Sequence, residues 1–305
     1  MGTDRRRVAL FEPWGLGDLA ISLHLARAAA VEGAAVTLFC DSQYVEWAKT
    51  FPFVSEVIGV AVPWTQKDKK YEFSTYPWRD WRRIRKEFRE KKFELVFEPR
   101  RDMRANLLLA YLTSGPRKRP SSRKEGLGYR RLALLPRKPD LAANRSGKKS
   151  IVFFFGAEWA NRRVPDWKIP SLLDSVRASD RSIGVILPPQ ESQKEVYRTL
   201  RNAGVECIEG TVAEVSRRIA DYSHAVSTDS GWLHVAHLAG LRTLGLFGFM
   251  NDMEWAPPGA AVLRSEHCLP GQARYRLECR DIQPLGTLRV QDFQNKVREL
   301  LGERE

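Results

Sequence analysis

Ser227-Thr228-Asp229-Ser230-Gly231-Trp232-Leu233-His234-Val235-Ala236-His237-Leu238-Ala239-Gly240 carries an apolar run through small polar residues into a segment with helical spacing. The run Ala225–Ser227 predicts a buried strand. Leu233, Ala236 and Ala239, each three apart, predict a helix face packed on a sheet. A strand that turns directly into a helix aims the helix dipole and its first backbone N–H groups beyond the strand's carboxyl end, where an anion is favoured. Asp229 is then either the helix cap or a ligand-side carboxylate, and His234 either lines the site or is packed. So many polar groups together (Thr228, Asp229, Ser230, Gly231 and His234) favour a phosphate site.

The same alternation extends in both directions. Upstream come the strand Ile151–Phe155, a helix Ile169–Arg177, the strand Ile183–Leu187, a helix Glu191–Ala203, the strand Val205–Ile208 and a helix Val212–Tyr222. Downstream lie the strand Thr243–Phe247 and a last helix, Val290–Leu301. The amino-terminal half repeats the plan: strand Val8–Phe11, helix Leu19–Val31, strands Ala35–Cys40 and Val57–Val60, and helices about Trp78–Lys92 and Met103–Leu112 flanking the strand Leu95–Phe97. Trp78, Trp81, Ile84 and Phe88 mark one face of the first of those two helices. Strands alternating with helices define an α/β protein with parallel sheets covered on both faces. A chain of 305 residues suits two such domains. They are placed at 1–148 and 149–288, with 289–305 as a helix that packs back on the first domain; Arg117 to Ser150 reads as the end of the first domain and a linker. Doubly wound domains bind ligands at the carboxyl ends of their strands.

Two further turns fall at such ends. Trp14-Gly15-Leu16-Gly17-Asp18 joins the first strand to the first helix, where Gly15 and Gly17 let the backbone approach a ligand. The pattern is not a GxGxxG dinucleotide motif. Asp18 is either the helix cap or a general base at the sheet's edge. Gly156-Ala157-Glu158-Trp159-Ala160-Asn161-Arg162-Arg163-Val164-Pro165 follows the strand Ile151–Phe155, and its arginines suit bidentate pairing with phosphate.

Charge is unevenly placed. The chain carries a net +13, yet Arg79 to Lys149 holds 23 Lys/Arg against 8 Asp/Glu, while the remainder is almost balanced at 27 against 29. Such a segment predicts an acidic partner: an anionic acceptor and membrane headgroups, or nucleic acid stacked on Trp78 and Trp81. Cys40 and Cys207 lie in strand-like runs and read as reduced core thiols, whereas Cys268 and Cys279 in a polar tail leave a disulfide or half a metal site open. No apolar stretch reaches the roughly 18 residues of a membrane span. Met1 to Arg7 lacks a signal-peptide pattern, which places the protein in the cytoplasm.

These turns together resemble the bacterial heptosyltransferase family, glycosyltransferase family 9. The likeness rests on the Gly-x-Gly-Asp turn, the Gly-Ala-Glu element with basic residues before Pro165, and above all Asp-Ser-Gly-x-x-His, ending in Leu246-Phe247-Gly248. Phe93–Arg104 and Leu107–Ser114 also resemble that family's first domain, and the likeness runs from about Val8 to Leu301.

The resemblance implies GT-B architecture, two Rossmann-like doubly wound domains facing a cleft, and inverting, metal-independent transfer from a nucleotide sugar. It implies ADP-heptose as donor, a lipopolysaccharide-core or related cell-surface glycan as acceptor, and no further cofactor. By position, Asp18 corresponds to the base. Arg162 corresponds to a phosphate-binding Lys, and Asp229, Ser230, Gly231 and His234 to donor-site residues. Arg163, Glu158 and Thr228 join the donor side, with Arg100, Arg101, Asp102 and Arg104 as acceptor-side candidates. Arg101 departs from a common Gly and Val164 from a common Trp. No Asp-x-Asp motif stands ready to hold a divalent ion. The partners implied are the nucleotide sugar, an anionic glycan or glycolipid and the cytoplasmic face of the inner membrane, with no nucleic acid. Two rivals are a nonhydrolysing nucleotide-sugar epimerase and a nucleic-acid-binding protein.

Overall fold

The computed structural model describes residues 5–62, 76–99, 103–113, 117–118, 150–177, 182–188, 192–248, 250–265 and 283–303. The chain divides into two compact units, Met1–Asp140 and Leu141–Glu305. The first runs β1 (Arg7–Glu12), α1 (Leu16–Val31), β2 (Ala35–Asp41), a 3-10 turn (Ser42–Tyr44), α2 (Val45–Ala48), β3 (Glu56–Val60), α3 (Trp78–Lys91), β4 (Leu95–Phe97), α4 (Met103–Leu112) and β5 (Arg117–Lys118). Its sheet has the order β3-β2-β1-β4-β5, and every pairing is parallel. The chain winds outward from β1 on one side and returns to β4 on the other. The carboxyl end of β1 is therefore the switch point, where open α/β sheets leave a crevice.

The second unit repeats the scheme. Its elements are β6 (Ser150–Phe154), 3-10 turns at Ala160–Arg162 and Asp166–Lys168, α5 (Ile169–Val176), β7 (Ser182–Ile186), α6 (Glu195–Asn202) and β8 (Glu206–Ile208). There follow α7 (Val212–Ile219), β9 (His224–Thr228), α8 (Gly231–Leu238), β10 (Arg242–Phe247), α9 (Asp252–Trp255), β11 (Ala261–Arg264), a 3-10 turn (Pro284–Thr287) and α10 (Val290–Leu300). The order β11-β10-β9-β6-β7-β8, again all parallel, puts the switch between β6 and β9. Two of the turns singled out in the sequence leave these neighbouring strands.

Burial explains why the strands read as unbroken apolar runs. Val36 to Cys40 of β2 and Ser150 to Phe154 of β6 are all buried, as strands covered on both faces must be. In α1 the stretch Leu19–Ala26 is buried throughout, Ser22 and His24 included. Cys40 lies inside the first core, where burial pushes its thiol up to about 12, and Cys207 is shifted up for the same reason. Both are reduced thiols, whereas Cys268 and Cys279 lie outside the described residues.

Three expectations need correction. The final helix packs on the core of the second unit. Phe293 and Val297 are fully buried in the core that also holds Ile169 and Leu172 of α5, and Gln294 donates to the Ser175 carbonyl at 2.6 Å. That face was apolar for a neighbour close in the same unit. Helix α1 begins at Leu16 and not Leu19, because the Gly15 cap and Gly17 in its first turn hide its apolar spacing. Trp78 opens α3 but remains 46% exposed, and only Trp81, Ile84 and Phe88 form the buried face.

Candidate active site

In the first unit, β1 ends at Glu12, and Trp14 turns inward with 7% exposure. The cap of α1 is Gly15, with φ −65° and ψ 168°, so it needs no left-handed conformation. A Cβ built on it meets nothing within 4 Å, and its smallness therefore keeps space open outside the turn. Asp18 is the third residue of the helix, which removes the reading of Asp18 as its cap. A carboxylate there stands in the first turn, where the helix dipole favours negative charge.

Two contacts brace this turn, and sequence reasoning identified neither. The Ser22 hydroxyl, one helical turn beyond Asp18, donates to Glu12 Oε2 at 2.5 Å, and both residues are fully buried. Such a charge-assisted bond fixes the start of α1 against the end of β1. The Arg104 guanidinium lies over the Trp14 ring at 5.3 Å. Arg104 thus stands beside the glycine turn from the start of α4, while Arg100, Arg101 and Asp102 lie outside the described residues. Buried Glu98 follows β4, next to β1.

In the second unit, the two loops at the switch point are tied together. The Thr228 hydroxyl donates to the Gly156 carbonyl, joining the end of β9 to the exit of β6. Val164 N–H donates to the Phe155 carbonyl at 3.0 Å and closes the loop between them. Within that loop Arg162 reaches back to the turn before α8. It meets Asp229 Oδ2 at 2.8 Å and also donates to the Asp229 backbone carbonyl. Glu158 is exposed and Arg163 half-buried on the same loop. Replacing Thr228 with Val leaves the Gly156 carbonyl without its donor. The expected cost is about 1–2 kcal/mol in urea unfolding, with weaker ligand binding at this loop; an unchanged unfolding midpoint contradicts the tie.

Ser230, not Asp229, caps α8, and it does so without a side-chain hydrogen bond. Its hydroxyl is within 3.1 Å of Ser227, so these small polar residues hold one another and leave the head of the helix without a capping side chain. Asp229 is 2% exposed. Burial pushes its carboxyl up, and Arg162 beside it pulls the other way. The buried Asp229 is held by a cation, and that cation stands at the head of a helix. His234 is buried within the second turn of α8.

Asn161 is the polar residue whose role the sequence did not show. It is 1% exposed, and among the described residues neither side-chain atom has a hydrogen-bond partner. Buried amides rarely stay unpaired, so one lying beside Arg162 marks a place prepared for a further polar group. A cavity of about 420 Å³ lined by His237, Arg242, Thr243 and Glu299 lies at the opposite, amino-terminal end of β10. Burial drives His237 there down to about 4, which keeps it neutral. Trp232 packs on Phe154 with ring centroids 6.3 Å apart.

Two Rossmann-like units, each a doubly wound parallel sheet, give the chain GT-B architecture. Residues 122–280, more than half of the chain, match the model of glycosyltransferase family 9 (heptosyltransferase), and the chain belongs to that family. Among solved structures it is similar to Escherichia coli heptosyltransferase WaaC with ADP, at 16% identity and a TM-score of 0.74 over 96% of this chain and 99% of that one. A family 9 glycosyltransferase from Veillonella parvula gives 14% identity and a TM-score of 0.71 over 100% and 99%. The E. coli ADP-heptose lipopolysaccharide heptosyltransferase II gives 17% and 0.68 over 97% and 99%. No curated protein matches the chain. Among the described residues no helix is long and apolar enough to cross a membrane.

Proposed function

We propose that this glycosyltransferase moves heptose from ADP-heptose, with inversion and without a metal ion, onto a lipopolysaccharide-core or related anionic glycan at the cytoplasmic face of the inner membrane. The observation that carries the reading is the Arg162–Asp229 pair at the uncapped head of α8. Asp229 holds the guanidinium at the place where a diphosphate finds both the helix dipole and a cation. The solved structure of a neighbour in the same fold contains ADP.

The chemistry divides between the units. Asp18 takes the proton of the acceptor hydroxyl as its oxygen forms a bond to the anomeric carbon from the face opposite the leaving group. The bond from that carbon to the diphosphate oxygen breaks, and the electron pair leaves with ADP. Arg162, assisted by Arg163 and the α8 head, stabilises the departing charge, the part a metal ion plays in other transferases. Ser230, Gly231, His234 and Glu158 lie where the sugar is read, and Arg104 offers a cation to the acceptor.

A thermal-shift series of nucleotide sugars tests this. ADP-heptose at a hundred times its Kd is expected to stabilise the chain by about 2.7 kcal/mol, with nucleotide sugars carrying other bases giving less. Transfer should persist in EDTA, and the product anomer, read by NMR, should be opposite to the donor's. Stabilisation by oligonucleotides alone, or donor turnover without an acceptor, overturns the assignment.

A further inference from the structure

The charges of α3 are sorted by face. On one flank every charge is compensated: Arg83 pairs with Asp80 at 2.6 Å, and Lys91 with Glu56 at 2.9 Å and Glu87 at 3.4 Å. The other flank carries Trp78, Arg82, Arg85 and Arg89, at spacings of four, three and four, with no acid among them. Arg82 and Arg89 are exposed and have no ion pair among the described residues. A helix that needed only solubility would mix its signs on both flanks.

The uncompensated flank is the one beside α4. The Arg85 guanidinium lies over the Tyr111 ring at 4.6 Å and joins the two helices. On α4, Met103 and Leu107, one turn apart, are 73% and 66% exposed. Trp78 continues the face at the start of α3. Arginines, an exposed indole and two aliphatic side chains therefore stand exposed on two helices joined through Arg85 and Tyr111. Two aliphatic groups have no counterpart along a phosphodiester backbone, whereas a bilayer offers anionic headgroups, an indole-binding interface and acyl chains in one depth profile.

We propose that this α3–α4 face docks the enzyme on an anionic lipid bilayer, with Arg82, Arg85 and Arg89 on headgroups and Met103 and Leu107 in the interface. The proposal rests on the reading that the enzyme works at a membrane, and it names the surface that does so.

The test is cosedimentation of the full chain with vesicles of phosphatidylcholine and phosphatidylglycerol in equal parts, against phosphatidylcholine alone. The wild-type chain should bind the anionic vesicles and release them as salt is raised. The R82Q/R89Q variant should bind about thirtyfold more weakly, near fivefold for each arginine lost. M103S/L107S should lose affinity several-fold and change the salt dependence little. R217Q/R298Q, an equal loss of charge on exposed residues of the second unit, should bind as wild type does. All three variants change exposed side chains, so unchanged thermal unfolding confirms their folding. Equal binding by R82Q/R89Q and R217Q/R298Q overturns the assigned surface while keeping membrane binding. No binding by the wild type overturns both. Preference for an oligonucleotide over the vesicles, or a dimer in light scattering that R82Q/R89Q dissolves, assigns the face to another occupant and also refutes the proposal.

Discussion

Asp18→Asn is expected to lower turnover by roughly 10²–10⁴-fold while the donor's dissociation constant and the unfolding midpoint stay near those of wild type. The reason is positional. Gly15 caps α1 with its backbone, so Asp18 is not the helix cap. Helix entry is secured by buried Glu12 and Ser22, which the substitution leaves in place. Asn keeps the shape and polarity but cannot accept the acceptor's proton at neutral pH. The loss should therefore fall on kcat and spare KM for the donor. Turnover within tenfold of wild type would falsify the assignment of the base.

Arg162→Ala is expected to do two separable things. It removes the cation from a carboxylate that is almost wholly buried, which costs about 3 kcal/mol of stability. It also removes a charged donor to the diphosphate and weakens donor binding by roughly ten- to a hundredfold. The stability loss has a sign in pH. Burial raises the Asp229 carboxyl, and Arg162 opposes the rise. Without Arg162 the folded carboxyl moves further above its unfolded range. A raised carboxyl favours the folded state only while protonated, so the penalty is absent at low pH and grows as pH climbs past the ordinary aspartate range. Urea unfolding of the variant near pH 5 and pH 7.5 should show the smaller deficit at the lower pH. Arg162→Met with Asp229→Leu should restore stability, since an apolar pair needs no compensation, yet leave donor binding lost. If the double variant regains donor affinity, the pair is structural and the anion lies elsewhere.

How far these residues could be read in advance depended on whether their signals were local. The strand–turn–helix at Ser227–Gly240 was legible because a parallel strand is apolar throughout and the change to helical spacing is abrupt. Arg162 was legible as a loop arginine after a buried strand. Its partner was not, because Asp229 lies 67 residues away and only the β6–β9 pairing brings them together. Asp18 was ambiguous for a related reason: a glycine cap leaves no side-chain signal, so the next polar residue looked like the cap. The last helix displays an apolar face but no address, and any neighbouring core could have received it. Asn161 stood in plain view within a quoted motif, but an unpaired amide shows itself only when everything around it has been placed. The segregation of charge on α3 needed the structure too, because which acids compensate which bases depends on Glu56, a residue of β3.

The tie between Thr228 and the Gly156 carbonyl spans 72 residues of chain. Closing a loop of that length costs entropy that no contact within either motif can offset, and contacts so far apart in sequence form slowly. Neither loop of the proposed donor site exists as a local structure that a nucleotide could stabilise early. On the proposed function, the chain acquires affinity for its donor only when the central strands β6 and β9 have found their register. In terms of synthesis, a ribosome must release the chain at least as far as α8 before these two loops can meet, and on the proposed function a nascent chain is blind to sugar nucleotides until then.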